Sequence, residues 1–270
     1  MRAHGLGVRY RRDRALRDCS FSLPAGGVTA LVGANGAGKS TLLKVAAGLV
    51  RPTGGTLEVR GEVGFVAQEK PLYRNLTVAE MLEFGARANP RWDRAHAAEL
   101  ADRAGLPRGT RTGKLSGGQR ASVALVLALA RRPDVLLLDE PLAEMDPVAR
   151  QEALRSIMLA VAETGATVLL SSHVVADLDG VCDRLLALDR GEVRLDGAVE
   201  DLLDAHRLVV APRDTDLTAH DVVEERVGER QLTALVRLRG PLDLPDDQVG
   251  APTLDELVVA HLRRNRAVAA

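Results

Sequence analysis

The chain has 270 residues, of which 46% are hydrophobic and 27% charged, so it is long and apolar enough to form one or two folded domains. These proportions exclude a disordered or fibrous protein. Aromatic residues make up 2% and the formal net charge is −1, which argues against a single-stranded nucleic-acid binder and against bulk electrostatic attachment to nucleic acid or lipid.

The N-terminal half alternates between strand and helix signals. The apolar run Val28–Val32 predicts a buried strand, and residues 41–47 predict a helix. Residues 56–59 and 63–66, each introduced by a glycine turn, predict a small antiparallel β subdomain in which these two strands pair. From about 69 to 115 helical patterns dominate, and we interpret this segment as a helical insert.

Alternation of helices and strands returns after the insert. The predicted elements are helices over 119–131 and 148–163, strands over 135–138 and 167–170, and a hairpin over 184–195. Buried strands that alternate with helices indicate an α/β fold with a mostly parallel sheet covered on both faces. Because the pattern weakens after residue 201, we expect a main domain over 1–203 and a small C-terminal α/β appendage over 204–270.

Cysteine and lysine are both scarce. Cys19 and Cys182 are too few for a disulfide framework, which is typical of a protein from a reducing compartment. The longest apolar stretch, 121–130, is too short to cross a bilayer, so we expect no membrane span. An arginine-rich genome explains the rarity of lysine, yet each lysine is a candidate for a role that needs an ammonium group. The lysines are Lys39, Lys44, Lys70 and Lys114.

A glycine-rich loop follows the first predicted strand and opens a helix. Its residues are Gly33, Ala34, Asn35, Gly36, Ala37, Gly38, Lys39, Ser40 and Thr41, which fit G-x-x-x-x-G-K-[ST]. Such a loop points backbone N–H groups and a helix N-terminus at phosphate oxygens. Lys39 would reach the β- and γ-phosphates, and the Ser40 hydroxyl would bind Mg²⁺. A plain glycine-rich turn is the alternative.

Two acidic residues end the apolar run 135–138. Ligands bind at the carboxyl edge of an open α/β sheet. A strand over 135–138 would place the two acidic residues at this edge. Asp139 suits a direct or outer-sphere contact with Mg²⁺, and Glu140 suits polarising the water that attacks the γ-phosphorus. Isolated acidic residues after a strand are most often only solvated, but the phosphate loop favours the catalytic interpretation.

A third motif directly precedes the helix predicted over 119–131. It consists of Leu115, Ser116, Gly117, Gly118 and Gln119. Ser116 can cap the helix, and the glycines leave its N-terminus open to an anion. An ordinary capped helix start is the alternative. The string and the order of motifs resemble the nucleotide-binding subunits of ATP-binding cassette (ABC) transporters over about residues 6–203, which implies the ABC type of P-loop NTPase fold.

The resemblance also implies roles for isolated residues. Tyr10 would stack on adenine, with strand packing as the alternative. Gln68, otherwise a surface residue, would link Mg²⁺ and the attacking water to the helical insert, and His173, otherwise structural, would contact the γ-phosphate. Asp146 would couple the two sites of a dimer, and Glu144 stands near it where the family commonly has glycine.

The resemblance implies an ATP- and Mg²⁺-dependent ATPase whose sites are shared between two subunits, either a homodimer or a heterodimer with a related ATPase. Separate membrane permease subunits would form the pathway and hold this chain at the inner face of the plasma membrane. We expect export, because the short insert and the appendage look like exporter-type subunits. The alternatives are an ABC ATPase that acts on DNA or ribosomes, disfavoured by near-neutral charge, and a regulatory nucleotide binder.

Overall fold

The structure is a computed structural model that describes residues 1–11 and 13–267. Its strands are β1 (Arg2–Tyr10), β2 (Asp13–Ser22), β3 (Val28–Val32), β4 (Gly54–Glu58), β5 (Val63–Val66), β6 (Val135–Leu138), β7 (Thr167–Ser172), β8 (Arg184–Asp189), β9 (Glu192–Ala198), β10 (His206–Pro212), β11 (Asp221–Val227), β12 (Gln231–Arg237) and β13 (Val249–Gly250). Its α-helices are α1 (Lys39–Ala46), α2 (Val78–Ala88), α3 (Arg94–Arg103), α4 (Gly117–Leu129), α5 (Pro147–Thr164), α6 (Val199–Asp204) and α7 (Leu254–Ala267).

The main sheet has the strand order β5-β6-β7-β3-β8-β9. Neighbours from β5 to β8 are parallel, and β9 adds an antiparallel edge through the hairpin with β8. Every residue of β3, β6 and β7 is buried, as expected for strands covered on both faces. The prediction of an α/β fold with a mostly parallel core is confirmed.

An antiparallel sheet with the order β2-β1-β4 lies outside this core. The antiparallel subdomain is therefore present, but its predicted pairing was wrong, because β4 pairs with β1 and not with β5. Strand β5 instead runs parallel to β6, with Val63 opposite Val135. The apolar β5 gains a buried place beside β6, whereas the mostly exposed β4 suits a sheet edge. Local pattern does not reveal such partners.

Helices α2 and α3 lie within the segment predicted to be a helical insert. Thr77 caps α2 in a reciprocal capping box with Glu80, and Asp93 accepts from the His96 N–H to cap α3. Both helices pack on α4 through residues such as Met81 and Leu100. Within the part of the chain that the structure describes, no helix combines the length and apolar character needed to cross a membrane.

After residue 204 the chain forms a separate antiparallel sheet with the order β11-β12-β10-β13. Its own small core includes Val209, Leu232 and Val236. Helix α7 packs between this sheet and the main body, where Leu257 joins the large core. The division into domains over 1–203 and 204–270 stays a prediction.

Candidate functional site

The predicted site residues follow strands that end at one edge of the main sheet. The glycine-rich loop follows β3, Gln68 follows β5, Asp139 and Glu140 follow β6, and His173 follows β7. Because these strands are parallel neighbours, their carboxyl ends bring side chains together that are far apart in sequence. The sheet therefore assembles the site from four loops.

A cavity of about 420 Å³ opens at this edge. It is lined by Tyr10, Ala15, Asn35, Gly36, Ala37, Gly38, Lys39, Ser40, Thr41, Gln68 and Glu140. Gly33 and Ala34 lie behind the lining, where their carbonyl oxygens accept from Lys39. Tyr10 is 45% exposed, so its ring belongs to the cavity wall more than to a packed strand face. A cavity of this size can hold a nucleotide-sized ligand.

The loop before α1 leaves the helix N-terminus uncovered. Gly38 precedes the helix with φ +109°, a conformation that glycine adopts readily, and no side chain caps the first turn. A Cβ atom at this position would lie 2.6 Å from the Ala15 carbonyl oxygen. The close approach of β2 therefore requires glycine, and the free N–H groups of the first turn suit an anion.

Lys39 is buried at the base of the cavity with 6% exposure. Its ammonium donates to the Gly33 carbonyl at 2.7 Å, with Ala34 O at 3.4 Å, and lies 3.6 Å from Oε1 of Glu140. A buried cation needs partners of this kind. Its position among the loop carbonyls directs the charge at the place where phosphate oxygens would lie.

Glu140 is held in a constrained position. Its backbone has φ +48°, which is uncommon for a residue other than glycine, and its N–H donates to Ser171 Oγ at 2.9 Å. Its Oε2 atom lies 2.8 Å from Nδ1 of His173, whose side chain is half exposed. A buried carboxylate beside an imidazole can accept a proton from water.

Asp139 lies deeper, with 1% exposure. Its Oδ1 atom accepts a hydrogen bond from Ser171 Oγ at 3.0 Å, while its buried Oδ2 atom has no hydrogen-bond partner in the described residues. An orphaned buried carboxylate oxygen is costly unless a cation or its water ligands meet it, so this residue fits a Mg²⁺ site. Ser171, which orients both acidic residues, was missed by the sequence analysis.

The third motif lies apart from this cavity. Ser116 and Gln119 form a capping box at the start of α4, confirming Ser116 as the cap. Asp146 caps α5 by accepting from the N–H groups of Val148 and Ala149. Among the described residues that line the cavity, none belongs to the segment 115–119. One copy of the chain does not bring this segment to its own phosphate loop.

Comparison with known proteins places this arrangement in a family. A family described as ABC transporter matches residues 16–143. The uncharacterized ABC transporter ATP-binding protein YxlF of Bacillus subtilis (strain 168) is 30% identical, over 92% of this chain and 88% of that protein. The chain belongs to the ABC transporter family. As an ABC ATP-binding subunit, it is an ATP hydrolase.

Other members of the ABC family are similar to this chain. The phosphonates import ATP-binding protein PhnC 1 of Rhodopseudomonas palustris (strain HaA2) is 35% identical, over 75% of this chain and 83% of its own length. The molybdenum import ATP-binding protein ModC of Mycobacterium tuberculosis (strain ATCC 25618 / H37Rv) is 39% identical, over 72% of this chain and 60% of its own length.

Solved structures of ABC subunits share the fold. An ATP binding subunit of an ABC transporter superposes with a TM-score of 0.69 at 27% identity, over 75% of this chain and 91% of that chain. A dimeric bacterial ABC transporter cassette superposes with a TM-score of 0.68 at 24% identity, over 73% of this chain and 98% of that chain. The predicted ABC type of P-loop NTPase fold is therefore confirmed.

Proposed function

We propose that this chain is the ATPase subunit of a transporter and that it binds Mg·ATP in the cavity at the carboxyl edge of the main sheet. One observation carries the proposal. Tyr10, Lys39, Gln68 and Glu140 come from four separate segments of the chain and line the same cavity. They supply an aromatic face, a cation, an amide and a carboxylate, which match the parts of a nucleotide and an attacking water.

The side chains divide the work of hydrolysis. Tyr10 stacks on the base, and Lys39 with the N–H groups of the loop binds the phosphates. Glu140 takes the proton of the attacking water, and His173 holds that carboxylate and faces the γ-phosphate. Ser40, Gln68 and Asp139 would hold Mg²⁺. When bound, Mg²⁺ neutralises charge on the phosphate oxygens.

A second subunit completes the site in this proposal. The segment 115–119 opens α4 with two half-buried glycines but does not line the cavity of its own chain. Its helix N-terminus is suited to bind the γ-phosphate held by another copy or a related subunit. Asp146, next to this segment, would connect the two composite sites. ATP would then hold two subunits together until hydrolysis.

The helical insert offers a docking surface for a membrane subunit. A cleft of about 360 Å³ between the insert and the main sheet is lined by apolar side chains, including Phe65, Phe84 and Trp92. Tyr73 and Phe84 are 59% and 44% exposed and meet edge to face at 5.1 Å. Exposed apolar residues grouped in this way suit a partner helix. The subunit would thereby lie at the inner face of the membrane.

The sequence led us to expect export. Two of the relatives reported above are named for import, and the expectation of export is not supported by those names.

The proposal is tested with a tagged chain carrying Glu140→Gln, purified with ATP from a detergent extract of its own cells. We expect a protein with several membrane spans to copurify, and Phe84→Glu to abolish its recovery without changing the affinity for ATP. When the chain and its membrane partner are reconstituted in liposomes, ATP-dependent solute movement should occur with the wild-type chain and not with Glu140→Gln. Recovery of ribosomes or DNA in place of a membrane protein would contradict transport.

A further inference from the structure

Lys70 is a lysine that does not line the proposed phosphate-binding cavity. It is 5% exposed, and its backbone has φ +46°. Its N–H donates to the Ala67 carbonyl at 3.0 Å, so Lys70 closes the tight turn that carries Gln68. A buried ammonium group at a strained backbone position is costly and must be held by its surroundings.

The carboxylate that meets this ammonium belongs to Glu144. Nζ of Lys70 lies 3.2 Å from Oε1 of Glu144, while Oε2 of Glu144 lies 3.5 Å from Arg120. Arg120 in turn donates to the Leu115 carbonyl at 2.8 Å. These contacts join three loops of the site through one carboxylate: the turn of Gln68, the loop before α5 and the start of the 115–119 segment.

Glu144 also covers the glycines of that segment. A Cβ atom built on Gly117 would collide with Oε2 of Glu144, and one built on Gly118 would lie 3.0 Å from the Glu144 carbonyl oxygen. A side chain at position 117 would therefore displace the carboxylate of Glu144 from its present position. The two segments are therefore in direct contact.

We infer that Glu144 is a positioning residue for ATP hydrolysis. Through Lys70 and Arg120 it holds the Gln68 turn, the loop that ends at Asp146 and the 115–119 segment in one arrangement. Lys70 is buried and would be left uncompensated if these loops separated, so the ion pair makes them move as a unit. This inference rests on the proposed composite site, in which the Gln68 turn meets the nucleotide of its own chain while the 115–119 segment meets the nucleotide of the partner.

The experiment is a double-mutant cycle of Glu144→Gln, Lys70→Met and the combined variant, with kcat, the Kd for ATP and the melting temperature measured for each. We expect each single variant to lower kcat about tenfold while its Kd for ATP changes by less than about twofold. The kcat of the combined variant should be no lower than that of either single variant, because the two residues act as a unit. Lys70→Arg should retain most of kcat, since it keeps the charge.

Two further variants keep the result unambiguous. Glu99→Gln makes the same chemical change in an exposed ion pair with Arg103 and should leave kcat unchanged. Should Lys70→Met fail to fold, Arg120→Gln breaks the half-exposed arm of the network and should still lower kcat. Wild-type kcat in folded Glu144→Gln, or additive losses in the cycle, would overturn the positioning role. If two Glu140→Gln subunits failed to associate in the presence of ATP, that result would instead contradict the composite site itself.

Discussion

Glu140 and His173 are joined by a short contact in which Oε2 of the carboxylate lies 2.8 Å from Nδ1 of the imidazole. The other carboxylate oxygen lies 3.6 Å from the ammonium of Lys39. A histidine, otherwise half exposed, therefore holds a buried carboxylate from one side while the phosphate-binding lysine holds it from the other. This arrangement fixes the position of the proposed base relative to the γ-phosphate.

Replacing Glu140 with Gln should separate binding from hydrolysis. The amide keeps the shape of the side chain but cannot take a proton, so we expect kcat to fall about 10²- to 10⁴-fold while ATP still binds. An ATP-bound pair of subunits should accumulate, which light scattering after gel filtration would measure. Glu163→Gln on the exposed face of α5 is the matched control and should turn over normally. Normal hydrolysis by the Glu140 variant would mean that another group is the base.

Lys39→Ala should weaken ATP binding. The substitution removes a charge-assisted contact to phosphate, which is worth about 2–3 kcal/mol, or about a 30- to 150-fold rise in Kd. Titration with a fluorescent ATP analogue measures this change. Lys44 lies on the same helix outside the cavity lining, so Lys44→Ala should bind ATP as the wild type does. Equal affinities for the two variants would rule out the phosphate-binding role.

Tyr10→Ala should reduce affinity through the loss of stacking. Stacking of a base on an aromatic ring contributes about 1–3 kcal/mol, and we expect ATP binding to weaken by that amount. Tyr10→Phe should retain the affinity, because the ring and not the hydroxyl meets the base. The melting temperature should change little, since the side chain is 45% exposed. An unchanged Kd together with a lower melting temperature would support strand packing instead.

The parts of the site that the sequence predicts are those coded by local motifs. The phosphate loop and the acidic pair are recognisable because their chemistry depends on consecutive residues. Ser171 donates to Asp139 and accepts from the Glu140 N–H, but it lies on a different strand, so only the sheet register reveals the contact. The pairing of β4 was missed for the same reason, since its partner β1 is distant in the sequence.

The contact between Lys70 and Glu144 shows the same limit. Both residues are conspicuous in the sequence, one as a rare lysine and the other as an added charge where the family commonly has glycine. Their partnership depends on the packing of loops 74 positions apart, which no local pattern encodes. The sequence thus identifies the unusual residues, and the structure explains why each is tolerated.

The buried His206 and the partly exposed His261 form a histidine pair that is far from the phosphate loop in the sequence. Nδ1 of His206 lies 2.6 Å from the Leu202 carbonyl and donates to it, which leaves Nε2 as the acceptor for the Nε2–H of His261 at 3.2 Å. Burial, with the charges of His206, Arg264 and Arg237, lowers the pKa of His261 to about 4, and burial also lowers the pKa of His206. A proton on Nε2 of His206 would place two N–H groups face to face.

Acidification should therefore destabilise the appendage. An unfolded histidine takes up a proton near pH 6.5, whereas folded His261 does so only near its pKa of about 4, so the unfolded state binds more protons between these values. The part of the free energy of unfolding that depends on neutral His261 is fully present above pH 6.5 and is lost as the pH falls toward 4. From pH 7.5 to pH 5 we expect a loss of about 1–2 kcal/mol, allowing for solvent around the partly exposed ring. Urea unfolding of the wild type and of His261→Gln at both pH values measures it, and the variant should lose distinctly less stability. Equal pH dependence in the two proteins would show that the pair is not the titrating group.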